Sequence, residues 1–275
     1  RKGRITIEDL LYHQSGLPGS WPFYREAIND SSYTGGFFFF FLDANQHLRV
    51  DQRLYVVDDF KYKEEYLLSA YSEEYPLQVA EHMYVSPAFP KRMLEMIASD
   101  KIPLRDRRYR YSCLNFVLLK EMVEKISGMP MDEYLEKEFY GPMGMKYTLY
   151  NPLRKYQSEQ IVPTIQKDYL RNRKELRGYV HDEIAAFMGG VSGNAGLFSN
   201  AHDVAKVYQM LVDGGQYGGK RYLSLETCQL FMNKKSRISR RALGFDRPDP
   251  QPDKGPCADE TPQEVVGHTG FTGTC

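Results

Sequence analysis

The segment that most constrains the fold lies in the middle of the chain, between Ser112 and Gly128. Apolar side chains recur there at every fourth position, with further apolar residues beside that row, as in a helix that buries one face. The row and its neighbours are Leu114, Leu118, Met122, Ile126, Phe116, Leu119 and Val123. Gly128 follows, and glycine readily adopts the left-handed backbone that ends many helices. The pattern predicts a buried helix from about Ser112 to Ser127.

Shorter signals predict three further helices and two strands. Thr6 and Asn200 each precede an apolar pattern and can cap the first turn of a helix with a side-chain oxygen. Gly16 and Pro18 are expected to stop the helix that begins near Thr6. Thr6–Leu11 is the predicted start of that first helix, the other two predicted helices are Met131–Phe139 and Ala201–Val212, and the predicted strands are Arg221–Ser224 and Glu264–Gly270.

Residues 19–90 form the least regular part of the chain. From Pro22 to about Phe89 neither a helical nor a strand period is sustained, so we predict a long irregular excursion with short helices, inserted in one domain that spans residues 1–275. The excursion contains five consecutive phenylalanines, Phe37 to Phe41. A partner-binding strand is one interpretation of this run. We predict a buried segment instead, because a flat apolar run left exposed would promote aggregation.

Charge balance and hydropathy exclude several classes of protein. The chain has 36 Lys+Arg and 36 Asp+Glu residues, so it lacks the excess of cations on which nucleic-acid binding draws. The most apolar run, Phe37 to Leu42, is far shorter than the ~20 residues that a membrane-spanning helix needs. The four cysteines lie far apart without a CxxC pair, and they give no basis for a zinc site or for a redox compartment.

Several well-known catalytic motifs are missing or incomplete. The chain has no HExxH sequence, and residues 190–194 lack the last glycine of a hydrolase nucleophile elbow. Residues 214–220 have the outline of a Walker A loop, but Arg221 stands where that loop needs Ser or Thr, so we predict a helix-to-hairpin turn. The basic stretches Arg171–Arg177 and Lys234–Arg241 are interpreted as solvated faces rather than as a binding patch.

Five stretches, taken together and in order, resemble the serine beta-lactamase and penicillin-binding-protein family, specifically its class C and esterase-like branch. They are Ile5–Pro18, Tyr111–Gly128, Gly141–Met145, Tyr179–Met210 and His268–Gly270. Residues 178–199 also resemble serine hydrolase domains that are fused to beta-N-acetylhexosaminidases in some bacteria.

The resemblance implies a fold and a site. The fold is α+β, of the beta-lactamase/transpeptidase-like type, with an antiparallel sheet flanked by helices plus a helical region, incomplete here at both ends. In this family a serine in an SxxK motif forms an acyl-enzyme, and the tyrosine of a YxN motif handles its proton. Tyr111 matches that tyrosine, and His268, Thr269 and Gly270 match the strand motif that holds the substrate. We therefore expect Tyr111 and His268 to be catalytic, and Cys113, Thr269 and Gly270 to contact the substrate.

Taken singly, Tyr111 is better explained as a buried aromatic at a helix start and His268 as a hydrogen-bonded strand histidine, and it is the joint placement of the five stretches that favours the catalytic interpretation. The chain also departs from the family in two ways. None of its serines is followed by lysine at the third position, so the nucleophile is expected upstream of Arg1. Cys113 stands where the family usually has Asn, and because a thiol is a poor hydrogen-bond donor we expect poor binding of amide-type substrates. We interpret Cys113 as a small buried thiol rather than a replacement nucleophile.

The predicted activity is hydrolysis of an ester or amide, of the beta-lactam, D-amino-acid peptide or carboxylic ester class, through an acyl-enzyme and without a metal or organic cofactor. The alternative is a noncatalytic binding or scaffold module that recognises cell-wall peptide or glycan fragments. The expected partner is a small ester or amide or a cell-wall-derived molecule, and not a nucleic acid. The resemblance implies the periplasm or the cell envelope, although the residues themselves indicate no compartment.

Overall fold

Helices and short antiparallel strands are mixed along the chain, so the fold is α+β, as predicted. The computed structural model describes residues 2–41, 48–51, 54–57, 59–99, 108–251, 254–255 and 257–270. The chain divides into two units, which are described separately below. The first unit comprises Arg1–Ser20, Lys101–Thr148 and Ser199–Cys275, and the second comprises Trp21–Asp100 and Leu149–Phe198.

Eight α-helices lie in the described residues, and none of them is long and apolar enough to cross a membrane. They are α1 (Ile7–Leu11), α2 (Tyr24–Ala27), α3 (Ala88–Ser99), α4 (Cys113–Ser127), α5 (Met131–Leu135), α6 (Glu183–Phe187), α7 (Ala201–Val212) and α8 (Leu225–Asn233).

The helix ends predicted from capping residues are confirmed. Thr6 Oγ1 accepts a hydrogen bond from the amide of Asp9 at 3.1 Å, and the Asp9 carboxylate accepts one from the amide of Thr6, so both polar groups at the start of α1 are paired. Asn200 Oδ1 accepts from the amide of Asp203 at 2.8 Å at the start of α7. Gly128 ends α4 with a left-handed φ of 70°. However, α1 already ends at Leu11, ahead of the glycine and proline that were expected to stop it.

The helix predicted over Met131–Phe139 changes its hydrogen-bond pattern part-way. α5 covers Met131–Leu135, and Glu136–Tyr140 continue it as a π-helical segment. The segment closes where the amide of Gly141 donates to the carbonyl oxygen of Glu136 at 2.8 Å. A Cβ atom on Gly141 would lie 2.9 Å from that oxygen, so only glycine fits this close approach.

Fourteen short strands in the described residues form small antiparallel sheets of two or three strands. They are β1 (Ile28–Asn29), β2 (Phe38–Phe39), β3 (Leu48–Asp51), β4 (Leu54–Val56), β5 (Lys61–Tyr62), β6 (Leu67–Leu68), β7 (Leu77–Ala80), β8 (Met83–Val85), β9 (Leu149–Tyr150), β10 (Pro163–Asp168), β11 (Arg173–Arg177), β12 (Leu197–Phe198), β13 (Gln216–Tyr217) and β14 (Lys220–Arg221). The strand orders are β1-β5, β2-β4-β3, β6-β8-β7, β9-β12, β10-β11 and β13-β14.

The first unit is built on helices. α1 packs against α4, while the end of α5, α7 and α8 share a second apolar cluster. The buried members of that cluster are Tyr140, Met143, Met145, Met210, Leu211 and Cys228. β13 and β14 form a hairpin directly after α7, with Gly218 and Gly219 at positive φ in its turn. The predicted helix-to-hairpin turn is therefore confirmed.

A buried carboxylate attaches α7 to the loop before β9. Asp203 accepts hydrogen bonds from the amide of Tyr147 at 2.8 Å and from Lys206 Nζ at 2.9 Å. Lys206 Nζ also donates to the carbonyl of Gly144 at 2.7 Å. Burial disfavours the charged form of Asp203, but these hydrogen bonds outweigh it and hold the pKa of the carboxyl below its usual range. The ionised side chain therefore stabilises this part of the first unit.

The second unit joins its strands and helices through aromatic contacts. The rings of Phe89 on α3 and Phe187 on α6 lie 5.3 Å apart in an edge-to-face arrangement, and Tyr62 of β5 lies 6.1 Å from Phe187. The Tyr62 hydroxyl donates to the carbonyl of Leu170 at 2.7 Å, so the buried phenol is satisfied.

The excursion predicted at residues 19–90 contains strands where short helices were expected. Apart from α2, a 3₁₀ turn at Asp30–Ser32 and the longer α3, its described elements are β1 to β8. Apart from the phenylalanine run, the apolar residues of this region come in runs of at most four, which suit short strands. β3 pairs with β4 and β7 with β8 between neighbouring segments, but β1 pairs with β5 and β6 with β8 over longer separations, which the sequence pattern does not reveal.

The prediction that the phenylalanine run is buried was wrong for its last three residues. Phe37 is 2% exposed, but Phe39, Phe40 and Phe41 are 39%, 69% and 73% exposed. Successive side chains of a strand point to opposite faces, so five identical residues in sequence cannot all face one core. Only the residues at the start of the run reach the interior.

Both predicted strands in the last part of the chain are shorter than expected. β14 ends at Arg221, because Ser224 instead caps α8 by accepting a hydrogen bond from the amide of Thr227 at 3.1 Å. In the segment Glu264–Gly270 only Gly267 pairs, in an isolated bridge to Asp246. A strand forms only where its backbone groups find a partner, and among the described residues this segment finds one.

The two basic stretches are not simply solvated faces, since each contains a buried arginine. Arg171 is 4% exposed, pairs with Asp168, and donates to the carbonyls of Val180 and His181 at 2.8 Å each. Arg241 is 5% exposed. A charged residue is buried where partners from other elements surround it, which charge patterning along the sequence does not show.

The long helix α4 is buried only in its first half. Leu114 and Val117 are fully buried, whereas Ile126, which belongs to the predicted apolar row, is 81% exposed. The prediction of the helix is confirmed, but the apolar row does not stay buried to its end, and the last turn contacts the start of α5 through the hydrogen bond from the Met131 amide to Glu124 Oε1 at 2.9 Å.

Removing the cap of α7 should lower stability without changing the fold. We expect Asn200→Ala to reduce the free energy of unfolding by about 1 kcal/mol, because the Asp203 amide loses its acceptor. Asn200→Ser, which restores an acceptor oxygen, should recover most of this loss. Urea unfolding of the three proteins measures the effect, and equal losses for Ala and Ser would contradict it.

Candidate active site

Tyr111 is held in place by the segment that follows α1. The backbone of residues 110–113 pairs with this segment: the Arg110 amide donates to the His13 carbonyl and the Cys113 amide to the Gly19 carbonyl, both at 2.9 Å. Ser112 Oγ donates to the carbonyl of Pro18 at 2.6 Å. Tyr111 therefore lies at the start of α4 with both of its flanks fixed by residues about 100 positions earlier.

A buried histidine packs directly against Tyr111. The rings of His13 and Tyr111 have centroids 4.3 Å apart and are tilted by 31°, and His13 is 1% exposed. His13 has a left-handed φ of 55°, which is uncommon for a residue with a Cβ atom. This conformation follows directly after the end of α1, at the point where the chain turns toward α4.

The hydrogen bonds of His13 define its protonation. Its Nδ1 lies 3.1 Å from the amide of Ser112 and 3.1 Å from Asn115 Nδ2, both of which are donors. Asn115 is oriented by Ser15, whose hydroxyl donates to Asn115 Oδ1 at 2.6 Å. Because Nδ1 accepts from two donors, it carries no proton, and the neutral ring holds its proton on Nε2.

The surroundings of His13 keep this ring uncharged. Burial, followed by the positive charges of Arg241 and His268, lowers the pKa of His13 to about 4, although Asp246 acts in the opposite direction. At neutral pH, His13 is therefore a neutral aromatic surface against Tyr111.

Arg241 supplies the cation beside Tyr111. Its Cζ lies 5.4 Å from the centroid of the Tyr111 ring and 5.7 Å from that of Tyr109, within the range of cation–π contacts. Arg241 Nη2 donates to the Tyr109 hydroxyl at 3.1 Å and lies 3.5 Å from Asp246 Oδ2. His13, Tyr109, Tyr111, Arg241 and His268 are called the Tyr111 cluster below.

Asp246 balances only part of the positive charge. Arg240 donates to its two carboxylate oxygens at 2.7 and 2.9 Å, and Arg241 approaches from the other side. Burial disfavours the charged carboxylate, but the two arginines outweigh it and hold the pKa of Asp246 below its usual range. Arg240 Nη1 also lies 3.5 Å from Asp249 Oδ2, so a second carboxylate balances the rest of the charge, and Arg241 is the cation in contact with the Tyr111 ring. Among the described residues, the buried Nε2 of His13 and Nη1 of Arg241 have no hydrogen-bond partner.

His268 comes to Tyr111 through the backbone bridge of its neighbour. The Asp246 amide donates to the Gly267 carbonyl at 2.7 Å and the Gly267 amide returns a bond at 3.0 Å. This bridge places the His268 ring 6.1 Å from the Tyr111 ring. His268 Nδ1 lies 2.9 Å from the carbonyl of Thr269, which can only accept, so Nδ1 carries a proton. A neutral His268 ring therefore has its unprotonated nitrogen at Nε2, whereas in His13 the unprotonated nitrogen is Nδ1.

The other predicted site residues lie along the same two segments. Cys113 is half-buried in the first turn of α4 and forms no disulfide. Thr269 and Gly270 are exposed and follow His268 without a sheet partner among the described residues. The structure thus brings Tyr111 and His268 together directly, and places the remaining three within two residues of one of them along the chain.

Four further residues of the candidate site, His13, Tyr109, Arg241 and Asp246, were not predicted from sequence. His13 lies in the segment Ile5–Pro18, which carries part of the family resemblance, so that segment was a usable signal. Arg241 was assigned to a solvated face, and Asp246 carried no signal at all. Their role depends on contacts over more than 100 residues, such as that between Arg241 and Tyr109.

The serine of the incomplete nucleophile elbow, Ser192, has a structural role in the second unit. It is 1% exposed, and its hydroxyl donates to Asn194 Oδ1 at 2.7 Å. Asn194 Nδ2 in turn donates at 3.0 Å to Asp182, the cap of α6.

No three His, Cys, Asp or Glu side chains within the described ranges are arranged to hold a metal ion.

The neutral state of His13 should be visible in the pH dependence of stability. The pKa of His13 is about 4 in the folded chain and near 6.5 when unfolded, so the unfolded chain binds the proton more readily. Stability should therefore fall as the pH drops from about 6.5 to about 4, and His13 should account for about 3 kcal/mol of this loss. Urea unfolding across this range, compared with His13→Gln, measures the contribution. An unchanged slope in the variant would contradict it.

A Beta-lactamase family model matches residues 1–275. The N-acetylmuramyl-L-alanine amidase of Bacillus subtilis (strain 168) is 36% identical over 287 residues, which cover 99% of this chain and 53% of that protein. A putative D-alanyl-D-alanine carboxypeptidase of Escherichia coli (strain K12) is 36% identical over 196 residues, covering 66% of this chain and 44% of that protein. The chain thus spans about half the length of the curated relatives it matches.

Among solved structures, D-amino acid amidase from Ochrobactrum anthropi SV3, complexed with L-phenylalanine amide, aligns with 87% of this chain and 52% of its own, at 14% identity and a TM-score of 0.47. These values are too low to add to the assignment, which rests on the family model and on the amidase relative. Both extend over essentially the whole sequence, and the chain therefore belongs to the beta-lactamase family.

Proposed function

We propose that the protein is a serine hydrolase that cleaves an ester or amide through an acyl-enzyme, with Tyr111 as the residue that carries the proton. The observation that supports this most directly is the Tyr111 cluster itself. A phenol is packed between a neutral histidine and a permanently charged arginine, and a second histidine lies beside it. Positive charge close to a phenol favours its deprotonated form, which can then act as a base.

The proposed reaction proceeds in two halves. The phenolate of Tyr111 takes the proton of the serine hydroxyl while the serine oxygen attacks the substrate carbonyl carbon. The bond to the leaving amine or alcohol breaks, and the leaving group receives that proton. Water then attacks the acyl-enzyme and gives a proton to the Tyr111 phenolate, and Tyr111 passes this proton to the serine oxygen as the bond to the acyl group breaks, so the acid is released and both the serine hydroxyl and the phenolate are restored. Arg241 stays charged throughout, so it can stabilise the phenolate in both halves.

The nucleophilic serine is placed outside these 275 residues. None of the serines printed above has a lysine at the third following position, and Ser192, the serine nearest to another nucleophile motif, is fully buried and bonded. The matched relatives are about twice as long as this chain, which leaves room for such a segment in the whole protein.

The proposed substrate class is supported by the relatives and by the strand motif at His268. One relative is described as an N-acetylmuramyl-L-alanine amidase and another as a putative D-alanyl-D-alanine carboxypeptidase. We extend to this protein a cell-wall-derived substrate of the ester or amide class. His268, Thr269 and Gly270 would hold it, with Nε2 of His268 facing the substrate as acceptor when neutral and as donor when protonated.

The competing function is a noncatalytic module that binds the same fragments. The Tyr111 cluster weighs against it, because binding alone does not require a cation packed against the tyrosine. A full-length protein that binds the fragments but shows no turnover would support this alternative.

Replacing Tyr111 tests the proton-carrying role. In the full-length protein, Tyr111→Phe should lower kcat by about 10²–10⁴, the usual range for losing a general acid or base, with little change in stability. Hydrolysis of p-nitrophenyl esters and nitrocefin measures it. Residues 1–275 alone should be inactive on both, since they lack the nucleophile.

Tyr12→Phe is the matched control, because it also removes one tyrosine hydroxyl in the first unit, one that donates to the carbonyl of Lys234 at 3.0 Å and is not part of the Tyr111 cluster. Its kcat should stay within a few-fold of the wild type. Normal kcat in Tyr111→Phe would show that Tyr111 only packs at the start of α4.

Cys113 should determine which substrates are accepted. A buried substrate carbonyl left without a donor costs about 1–3 kcal/mol, and the Cys113 thiol is a poor donor. In the full-length protein, Cys113→Asn should therefore raise kcat/KM on amide or beta-lactam substrates by about 10- to 100-fold and change ester hydrolysis little. No gain on amides would refute this.

The same variant also tests whether Cys113 is the nucleophile. In that case Cys113→Asn and Cys113→Ser would both abolish turnover on esters, and iodoacetamide would inactivate the wild type. Cys228→Ser, at a buried cysteine remote in sequence from the site, is the control for a general effect of losing a thiol.

A further inference from the structure

The second unit contains a charged groove along strand β11. Arg173, Glu175 and Arg177 alternate along this strand, so their side chains project on the same side. They line a cavity of about 700 Å³ together with Glu81 and Glu159. Leu153 and Tyr179 supply apolar surface. This volume lies within the range of sites that bind small ligands, about 300–1,000 Å³.

Only one of the two arginines has its charge neutralised. Arg177 donates through Nε and Nη2 to Glu175 Oε1, at 2.9 and 2.7 Å, and through Nη1 to the carbonyl of Ile161 at 2.8 Å. Arg173 donates to the backbone carbonyls of Asn172 and Glu81. Its guanidinium has no carboxylate partner among the described residues. Arg173 is therefore a half-buried cation that can pair with an anionic group of a ligand.

Two carboxylates in the groove, those of Glu81 and Glu159, likewise have no Lys or Arg partner among the described residues. Glu81 lies 3.7 Å from the ring of His82, and both side chains are 77% exposed. Glu159 accepts a hydrogen bond from the hydroxyl of Ser158 at 2.8 Å. Hydrogen bonds from its own amide and from Ser158 hold the pKa of Glu159 below its usual range, so it is ionised at neutral pH. Neither carboxylate is paired with Lys or Arg in the part of the chain that the structure describes.

A second cavity of about 290 Å³ adjoins the same arginine and differs in charge. It is lined by Arg173, Lys61 and His82 and by apolar side chains that include Leu67 and Met83. No carboxylate is among its lining residues. Arg173 thus separates a cavity with uncommitted carboxylates from one that is basic and apolar.

We propose that this groove binds a short peptide with free ends, whose terminal carboxylate pairs with Arg173. An apolar side chain at the last position would occupy the second cavity, and an ammonium group would lie in the first cavity with Glu81 and Glu159. The charges set this direction, because the reversed peptide would place its carboxylate among carboxylates and its ammonium among cations. The groove shares no residue with the Tyr111 cluster, so this inference does not depend on the proposed hydrolase activity.

Binding of the tripeptide Lys-Ala-Leu measures the proposal. The full-length protein carrying Tyr111→Phe, which limits turnover, is titrated calorimetrically with the tripeptide and with its C-terminal amide. We expect the free acid to bind at least about tenfold more tightly than the amide, a difference of about 1.4 kcal/mol. Arg173→Gln should remove this difference by weakening the free acid alone. Lys174→Gln, at an exposed neighbour that does not line either cavity, should change neither value.

A second variant keeps the test valid if Arg173→Gln perturbs folding, which circular dichroism would reveal. Glu159→Gln changes an exposed side chain, and it should weaken the tripeptide several-fold but leave N-acetyl-Ala-Ala-Leu, which lacks both ammonium groups, unaffected. Absence of binding up to about 10 mM, where even a weak site would respond, would overturn the proposal. Equal affinities of the acid and the amide for the unsubstituted groove would overturn it as well.

Discussion

The candidate site depends on one buried acceptor, Nδ1 of His13. Two donors converge on it, the amide of Ser112 and the side chain of Asn115, and both belong to the first turn of α4 or its cap. Because an unpaired buried polar group costs about 1–3 kcal/mol, each of these groups requires the others to stay in place. The segment after α1 and the start of α4 are therefore coupled, and Tyr111 directly precedes Ser112, the first of the two donors. Ser15 completes the network by orienting the amide of Asn115.

In this arrangement the ring that packs on Tyr111 and the charge beside it belong to different residues. His13 contacts the Tyr111 ring but stays neutral, so the positive charge in contact with that ring comes mainly from Arg241. Arginine keeps its charge throughout the physiological pH range, whereas a histidine in the same role would lose its charge near neutral pH. Asp246 is shared between Arg240 and Arg241, and Arg240 also approaches Asp249. The cation in contact with the Tyr111 ring is therefore still charged at neutral pH.

Local elements were predictable where the signal is contained in a short stretch. α4, α7 and the capping box of α1 follow from apolar spacing and from caps such as Asn200, which act over three or four residues. Tyr111 and His268 were found by motif, and the structure places their rings 6.1 Å apart. The eight strands in the first 90 residues were not predicted, since each is short and exists only through a partner elsewhere in the chain. The exposure of Phe40 and Phe41 was missed because hydrophobicity alone does not say which side of a strand faces a core.

By itself, the sequence determined four helices of the first unit (α1, α4, α5 and α7), the family, and the two segments that bear Tyr111 and His268. Only the tertiary structure decided that His13 is neutral, that Arg241 is buried against Tyr111, and that a bridge between Asp246 and Gly267 replaces the expected strand. The physical reason is the separation along the chain over which each interaction acts. Helix periodicity and capping act between residues a few positions apart, whereas burial, protonation and charge pairing depend on groups that the chain brings together from distant positions.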